Sequence, residues 1–272
     1  MLRFCSLGSG SSGNATLVEG LPSDGRGPTR LLIDCGLGPR QLAARMALRG
    51  LSPGDLDAVF VTHEHSDHVA GLLALQRRFG VPVWASAGTW EHVSARAATR
   101  PACHVAQAGV AIHVGSLYLR PFTVPHDASE PLQLVVGDGR HCIGILTDIG
   151  EPTDAVAQAL QACDALLLET NHDPDLLAAS AYPPWLQRRI AGPRGHLANR
   201  QAADLLQRCR HSALRHVVAA HLSVRNNRPE LALAALAGAL RPGVVGGTRL
   251  SVADAQAGCD WIEIDQDRSR TR

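Results

Sequence analysis

Two kinds of hydrophobic pattern alternate along the chain: short runs rich in branched apolar residues, and longer stretches in which apolar positions recur every three to four residues. The first kind predicts strands at residues 2–7, 15–19 and 31–34, which the intervening Gly, Ser, Pro and Asn clusters mark as antiparallel. A helical pattern follows at 39–49, then a buried strand at 58–62 and an amphipathic helix at 69–79. Further strands are predicted at 81–85, 116–124, 132–136, 142–147 and 165–169, with helices at 153–161, 184–190 and 199–210 and a last strand at 216–220. Strands dominate each half with helices after them, and this order occurs twice. It predicts an α/β (α+β) fold of four layers, αββα, in which two mixed sheets pack face to face and helices cover the outer faces. A single domain over residues 1–272 is expected.

Composition narrows the class without naming a function. Hydrophobic residues make up 45% and charged residues 19%, which excludes a disordered or fibrous chain. No apolar run approaches the roughly 20 residues of a membrane span, and residues 1–10 have no basic segment leading into an apolar one. The expectation is a cytoplasmic protein with no membrane association and no obligate protein partner. Seven cysteines are an odd number, scattered and without a CxxC pair, so they read as reduced thiols and not as a disulfide framework or zinc knuckle.

The net charge of +1 hides an asymmetry, because residues 181–228 hold nine arginines against one acid, Asp204. Such segregation makes a local positive field that a polyanion can use. Arg188, Arg189 and Arg194, with Asn199, are the candidate substrate-binding residues. A solvated arginine-rich face is the competing reading.

The densest chemistry is His63-Glu64-His65-Ser66-Asp67-His68, placed between a predicted strand and a predicted helix. A loop at a strand end can direct neighbouring side chains to one point, which a regular helix or strand cannot do at these spacings. Imidazole and carboxylate donors suit zinc, manganese or iron, and the lack of a thiolate argues against a purely structural site.

This segment resembles the HxHxDH signature of the metallo-β-lactamase superfamily at every ligand position. The resemblance implies that His126, Asp148 and His221, each after a predicted strand, complete a site for two divalent ions, Zn or Mn with Fe as a further option. His63, His65 and His126 would hold one ion, Asp67, His68 and His221 the other, and Asp148 would bridge them. More finely, the chain is similar to the YycJ-like (WalJ) branch through residues 7–14 (LGSGSSGN), 62–68, 169–173 (ETNHD), 195–199 (GHLAN) and 220–223 (AHLS) with Asn226 and Asn227. Ala198 departs from the serine often found there. That branch implies a metal-dependent nuclease acting on DNA, with exonuclease activity from the 5′ end. The absence of a ligand thiolate and of any lysine to grip a β-lactam carboxylate disfavours antibiotic hydrolysis.

Two metals about 3.5–4 Å apart lower the pKa of a shared water and present a metal-bridging hydroxide near neutral pH, so hydrolysis is the expected reaction. Asp67 and His196 are the candidate catalytic residues. His196 lies between Arg194 and Arg200, where a histidine among guanidiniums suits contact with a phosphate oxygen. Its placement also resembles the Gly-His motif of the β-CASP nucleases; the alternative is a cap on the helix beginning near Asn199. The Ser9 to Asn14 loop could offer N–H groups to phosphate or be only a tight hairpin. His172 could support a ligand, face substrate, or make a structural hydrogen bond to a neighbouring carboxylate. A small-molecule hydrolase, either a cyclic phosphodiesterase or a glyoxalase II-like thioesterase, would share every ligand. An open positive groove separates the nuclease from a closed small-ligand pocket.

Overall fold

A computed structural model describes residues 1–22, 25–97, 101–240 and 247–264. The first half runs β1 (Leu2–Gly8), β2 (Ala15–Gly20), β3 (Thr29–Ile33), α1 (Pro39–Ala47), β4 (Ala58–Phe60), α2 (Ser66–Val69), α3 (Leu72–Phe79), β5 (Val83–Ala85), α4 (Ala87–Ser94) and β6 (His104–Val105). The second half runs β7 (Ile112–Val114), β8 (Leu117–Thr123), β9 (Leu132–Gly137), β10 (Cys142–Leu146), α5 (Asp154–Leu160), β11 (Ala165–Glu169), α6 (Pro174–Ala178) and α7 (Pro184–Ile190). It continues through α8 (Asn199–Cys209), β12 (His216–Ala220), α9 (Pro229–Ala239), β13 (Arg249–Val252) and β14 (Ile262–Ile264).

The strands form two mixed sheets, ordered β14-β1-β2-β3-β4-β5-β6 and β13-β12-β11-β10-β9-β8-β7. In each, antiparallel hairpins lead into a parallel series, β3 to β6 in one and β10 to β13 in the other. Alternation along the strands builds the layers. Phe4, Val18, Ile33 and Phe60 of one sheet meet Leu119, Leu134, Ile145 and Val218 of the other in a shared core. Residues of opposite parity, such as Leu17 and Leu32 or Leu166 and Leu168, face outward instead. They pack under α1, α3 and α4 on one side and under α5, α8 and α9 on the other. Strands buried on both faces read as unbroken apolar runs, as in Leu166-Leu167-Leu168. The result is the four-layer αββα sandwich.

Three departures from the sequence reading have identifiable physical causes. The helix expected over 69–79 is broken at Gly71, whose N–H donates to the Cys35 carbonyl at 2.8 Å and whose Cα has no room for a Cβ beside the Leu37 carbonyl. The helix α9 carries Ala and Leu on all sides and so lacks the periodicity that would reveal it. Likewise β14, pairing Ile264 with Leu2, is three residues long and depends on a partner at the far end of the chain.

The chemistry gathers where strands end. Asp34 follows β3, Asp148 follows β10 with Thr147 between, and His221 directly follows β12; these are the three non-glycine residues with positive φ among those described, at 61°, 54° and 55°. A left-handed backbone is costly for residues with a Cβ, and its concentration at one site marks a place where side-chain direction overrides local preference.

Candidate metal centre

The His63 to His68 segment leaves β4 extended and enters α2 with His65 at the N-cap, so Asp67 and His68 occupy its first turn. Backbone bonds from Asn14 N–H to the Asp67 carbonyl and from Cys35 N–H to the His68 carbonyl, both 2.7 Å, pin that turn. Gly36 permits the approach, since a Cβ there would overlap the Asp67 carbonyl.

Every metal ligand named from the sequence arrives in one cluster. Potential donor atoms lie within 4.8 Å of one another in each of three sets: His63, His65 and His126; Asp67, His68 and His221; and His63, His68 and Asp148. Asp148 therefore stands between the two histidine groups. Buried ring nitrogens in this cluster are unpartnered, among them Nε2 of His63 and Nε2 of His221. Buried polar atoms without partners are costly, and their convergence with carboxylates is the arrangement a divalent cation resolves. The donor set fits zinc, manganese or iron.

The ring orientations agree with that fit. His126 Nδ1–H donates to the Gly195 carbonyl at 3.1 Å, leaving Nε2 to converge on His65 Nδ1 at 3.3 Å. His68 Nδ1–H donates to Asp34 at 2.7 Å, and the Asp34 carboxylate also accepts from the Thr62 hydroxyl, which lies 3.0 Å from His63 Nδ1. Asp34 and Thr62 thus set the tautomers of both rings at once. Asn14 Nδ2 reaches His68 Nε2 at 3.0 Å and Asp67 at 3.3 Å.

Burial and the neighbouring His68 hold His63 well below the usual histidine range, and burial lowers His126, so both rings are neutral donors. Burial alone would lower His68 and His221 too. Asp34 and Asp148 nevertheless carry His68 well above its ordinary value, and Asp148 with Asp67 and Glu169 raises His221 to about 10. Burial opposes ionisation of Asp67 as well, but the approach of His221 Nε2 to 3.6 Å and the His68 charge bring it to about 2. The pull these carboxylates exert on protons at the ring nitrogens is the pull they would exert on a cation there.

The sequence reading assigned no role to two buried acids, Asp34 and Glu169. Glu169 is fully buried at the end of β11 and forms a further donor set with Asp148, His196 and His221. Its Oε1 accepts from His196 Nδ1 at 2.7 Å and from His221 Nδ1 at 3.2 Å, while Oε2 accepts from Ile149 N–H at 2.8 Å. Although burial would raise it, the His196 charge holds Glu169 at about 2, and Glu169 in turn raises His196 against its own burial. The signal available in sequence was an acid ending an apolar run.

Asp67, Asp148, His196 and His221 line a cavity of about 320 Å³, with Ser11 and Arg189 on its wall. His196 does not cap α8: its Nδ1 is committed to Glu169, and Ala198 stands at the N-cap. Arg189 is ion-paired to Asp127 at 2.6 Å on the cavity wall, whereas Arg188 borders a separate cavity and Arg194 is exposed. Asn199 is buried and exchanges side-chain hydrogen bonds with Asn227 at 2.8 and 2.9 Å, which brace the start of α8. Within the Ser9 to Asn14 hairpin, Gly10 N–H donates to the Asn14 side chain, Gly13 N–H to the Gly10 carbonyl, and Ser9 accepts from His221 N–H at 2.7 Å. That loop braces the cluster with these groups. Glu64 accepts from Ser129 N–H at 2.7 Å and belongs to none of the donor sets.

Residues 29–222 match the family model of the β-lactamase superfamily domain. The chain belongs to the metallo-β-lactamase superfamily. Within it, the chain is 33% identical over 234 residues to the exodeoxyribonuclease YycJ of Bacillus anthracis, covering 85% of this chain and 86% of that one. It is 32% identical over 235 residues to the exodeoxyribonuclease WalJ of Streptococcus pneumoniae strain D39, covering 85% of each. Among solved structures, the metallo-β-lactamase fold protein YhfI of Bacillus subtilis superposes with a TM-score of 0.71 at 17% identity, over 97% of this chain and all of that one, a likeness of fold alone.

Proposed function

We propose that this member of the superfamily is a metal-dependent phosphodiesterase acting on DNA as an exonuclease. The observation that carries the reading is His196, held by Glu169 through Nδ1 and lining the cavity that the metal ligands Asp67, Asp148 and His221 also line. The similarity to two exodeoxyribonucleases over 85% of the chain supports the same substrate class.

Two divalent ions, Zn or Mn with Fe as a further option, would be held by His63, His65 and His126 and by Asp67, His68 and His221, with Asp148 shared. Bound there, they supply Lewis acidity and lower the pKa of water toward neutrality. The protein's own residues do the rest. Asp34, Thr62, Gly195 and Glu169 fix ligand tautomers, so the imidazoles need no reorganisation. Glu169 accepts the Nδ1 proton of His196, which leaves Nε2 to donate to a phosphate oxygen or to the departing alkoxide. Arg189 adds positive charge at the cavity wall, tempered by its pairing with Asp127.

The test is a panel of end-labelled single- and double-stranded DNA, RNA, a chromogenic phosphodiester and a thioester, incubated with protein loaded with Zn²⁺ or Mn²⁺. The reading expects DNA to be shortened from one end, with mononucleotides or short oligonucleotides released. Thioester cleavage with every phosphodiester left intact would replace it by the small-molecule hydrolase.

A further inference from the structure

A second cavity of about 290 Å³ lies on the other side of α7. Leu186, Arg189 and Ile190 of that helix line the metal cavity, whereas Gln187, Arg188 and Ala191 line the second. At about 100° per residue, these sets occupy different faces of one helix. Trp185, three and four residues before Arg188 and Arg189, shares the helix face between them and is 60% exposed. The helix is thus a ridge between two cavities, crowned by an exposed indole. The segment that follows is shared in the same way, with Gly195 and His196 facing the metal cavity and Ala198 the second.

The second cavity joins an apolar wall of Pro174, Leu177 and Ala178 to a positively charged one. Arg188 and Arg200 border it, and neither has a hydrogen bond or ion pair among the described residues. Gln187 and Gln201 add amide groups. His172 is only 2% exposed, and its Nδ1 has no hydrogen-bond partner. A buried unpaired ring nitrogen beside two unneutralised guanidiniums is unexplained by the fold, which satisfies the neighbouring backbone: Asn199 N–H bonds the His172 carbonyl at 2.8 Å. Among the described residues no acid borders this cavity, in contrast to the Asp127 that neutralises Arg189 across the ridge.

We propose that this second cavity seats a phosphate of the substrate strand flanking the one being cleaved, through Arg188, Arg200 and His172, while Trp185 stacks a base of the nucleotide that crosses the ridge. The inference rests on the nuclease reading and specifies how the strand is held. Arginine forks match phosphate oxygens, and a base stacks on indole without regard to sequence, so the arrangement suits a single-stranded segment of any sequence. It also accounts for an exposed tryptophan on a helix with no fully buried residue.

The experiment measures KM for single-stranded oligodeoxynucleotides from two to six nucleotides with the metal-loaded protein. Wild type should gain at least about tenfold in affinity once the strand is long enough to reach the second cavity. Arg188→Ala with Arg200→Ala should remove most of that gain and lower the salt dependence by about 0.7 logarithmic units for each phosphate no longer neutralised. Trp185→Ala should raise KM on the longer strands by about fivefold or more, and Trp185→Phe should restore most of it. Melting temperatures within the wild-type range exclude misfolding. If wild type cleaves DNA but the length gain and salt slope survive in the arginine double variant, this inference is wrong and the nuclease reading stands. If wild type cleaves no oligonucleotide at all, the nuclease reading itself has failed.

Discussion

Glu169 Oε1 lies 2.7 Å from Nδ1 of His196 and 3.2 Å from Nδ1 of His221, so one buried carboxylate orients both a cavity-facing imidazole and an imidazole of the candidate metal cluster. Replacing it by glutamine keeps the volume but presents a neutral group that can no longer accept both protons at one oxygen as a charge. Glu169→Gln should lower kcat on DNA by about 10- to 100-fold, with a smaller loss of bound metal. Steady-state kinetics together with elemental analysis check this; unchanged kcat and metal content would show that the contact is incidental.

Asp34 serves the opposite side of the cluster, where it accepts from His68 Nδ1 and the Thr62 hydroxyl. Asp34→Asn should weaken metal binding by about 10- to 100-fold, because a ligand tautomer loses its anchor. Asparagine tolerates the positive φ of 61°, so the fold should persist. Competition against a chelator measures the effect, and identical metal affinity would remove Asp34 from the account.

Asp148 joins the two histidine groups. Asp148→Asn should lose at least one metal per chain and at least about a hundredfold in activity, while circular dichroism stays native because the inter-sheet core is intact. Two metals retained per chain in this variant would reject the bridging assignment.

All seven cysteines are free, and burial pushes Cys5, Cys35 and Cys209 up to about 12. Those three are inert core thiols at neutral pH. A reducing agent should shift the melting temperature by less than about 1 °C, since there is no cross-link to release. A clear decrease would reveal a disulfide.

The sequence made some parts of this site legible and hid others for physical reasons. His63, His65, Asp67 and His68 are adjacent in the chain, so their shared chemistry is visible as a string. His126, Asp148 and His221 carry no local signal beyond a strand end; only resemblance joined them to the cluster. Asp34 and Glu169 stayed unassigned because their roles depend on partners 34 residues and 27 to 52 residues away. The partner of Asn199 was hidden for the same reason: it is Asn227, 28 residues on. The layers were readable because two-sided burial leaves continuous apolar runs, whereas the all-apolar α9 and the short β14 depend on packing that no local pattern encodes.

The most direct test of metal-dependent DNA cleavage at this cluster uses protein stripped with a chelator, dialysed, and assayed on end-labelled single-stranded DNA before and after Mn²⁺ or Zn²⁺ is restored, beside His196→Ala treated identically. The account predicts no shortening by the stripped protein and full recovery on adding metal. It also predicts that the variant rebinds the same amount of metal but cleaves at least about a hundredfold more slowly. Undiminished cleavage by metal-free protein, or a metal-loaded His196→Ala variant as fast as wild type, would contradict it.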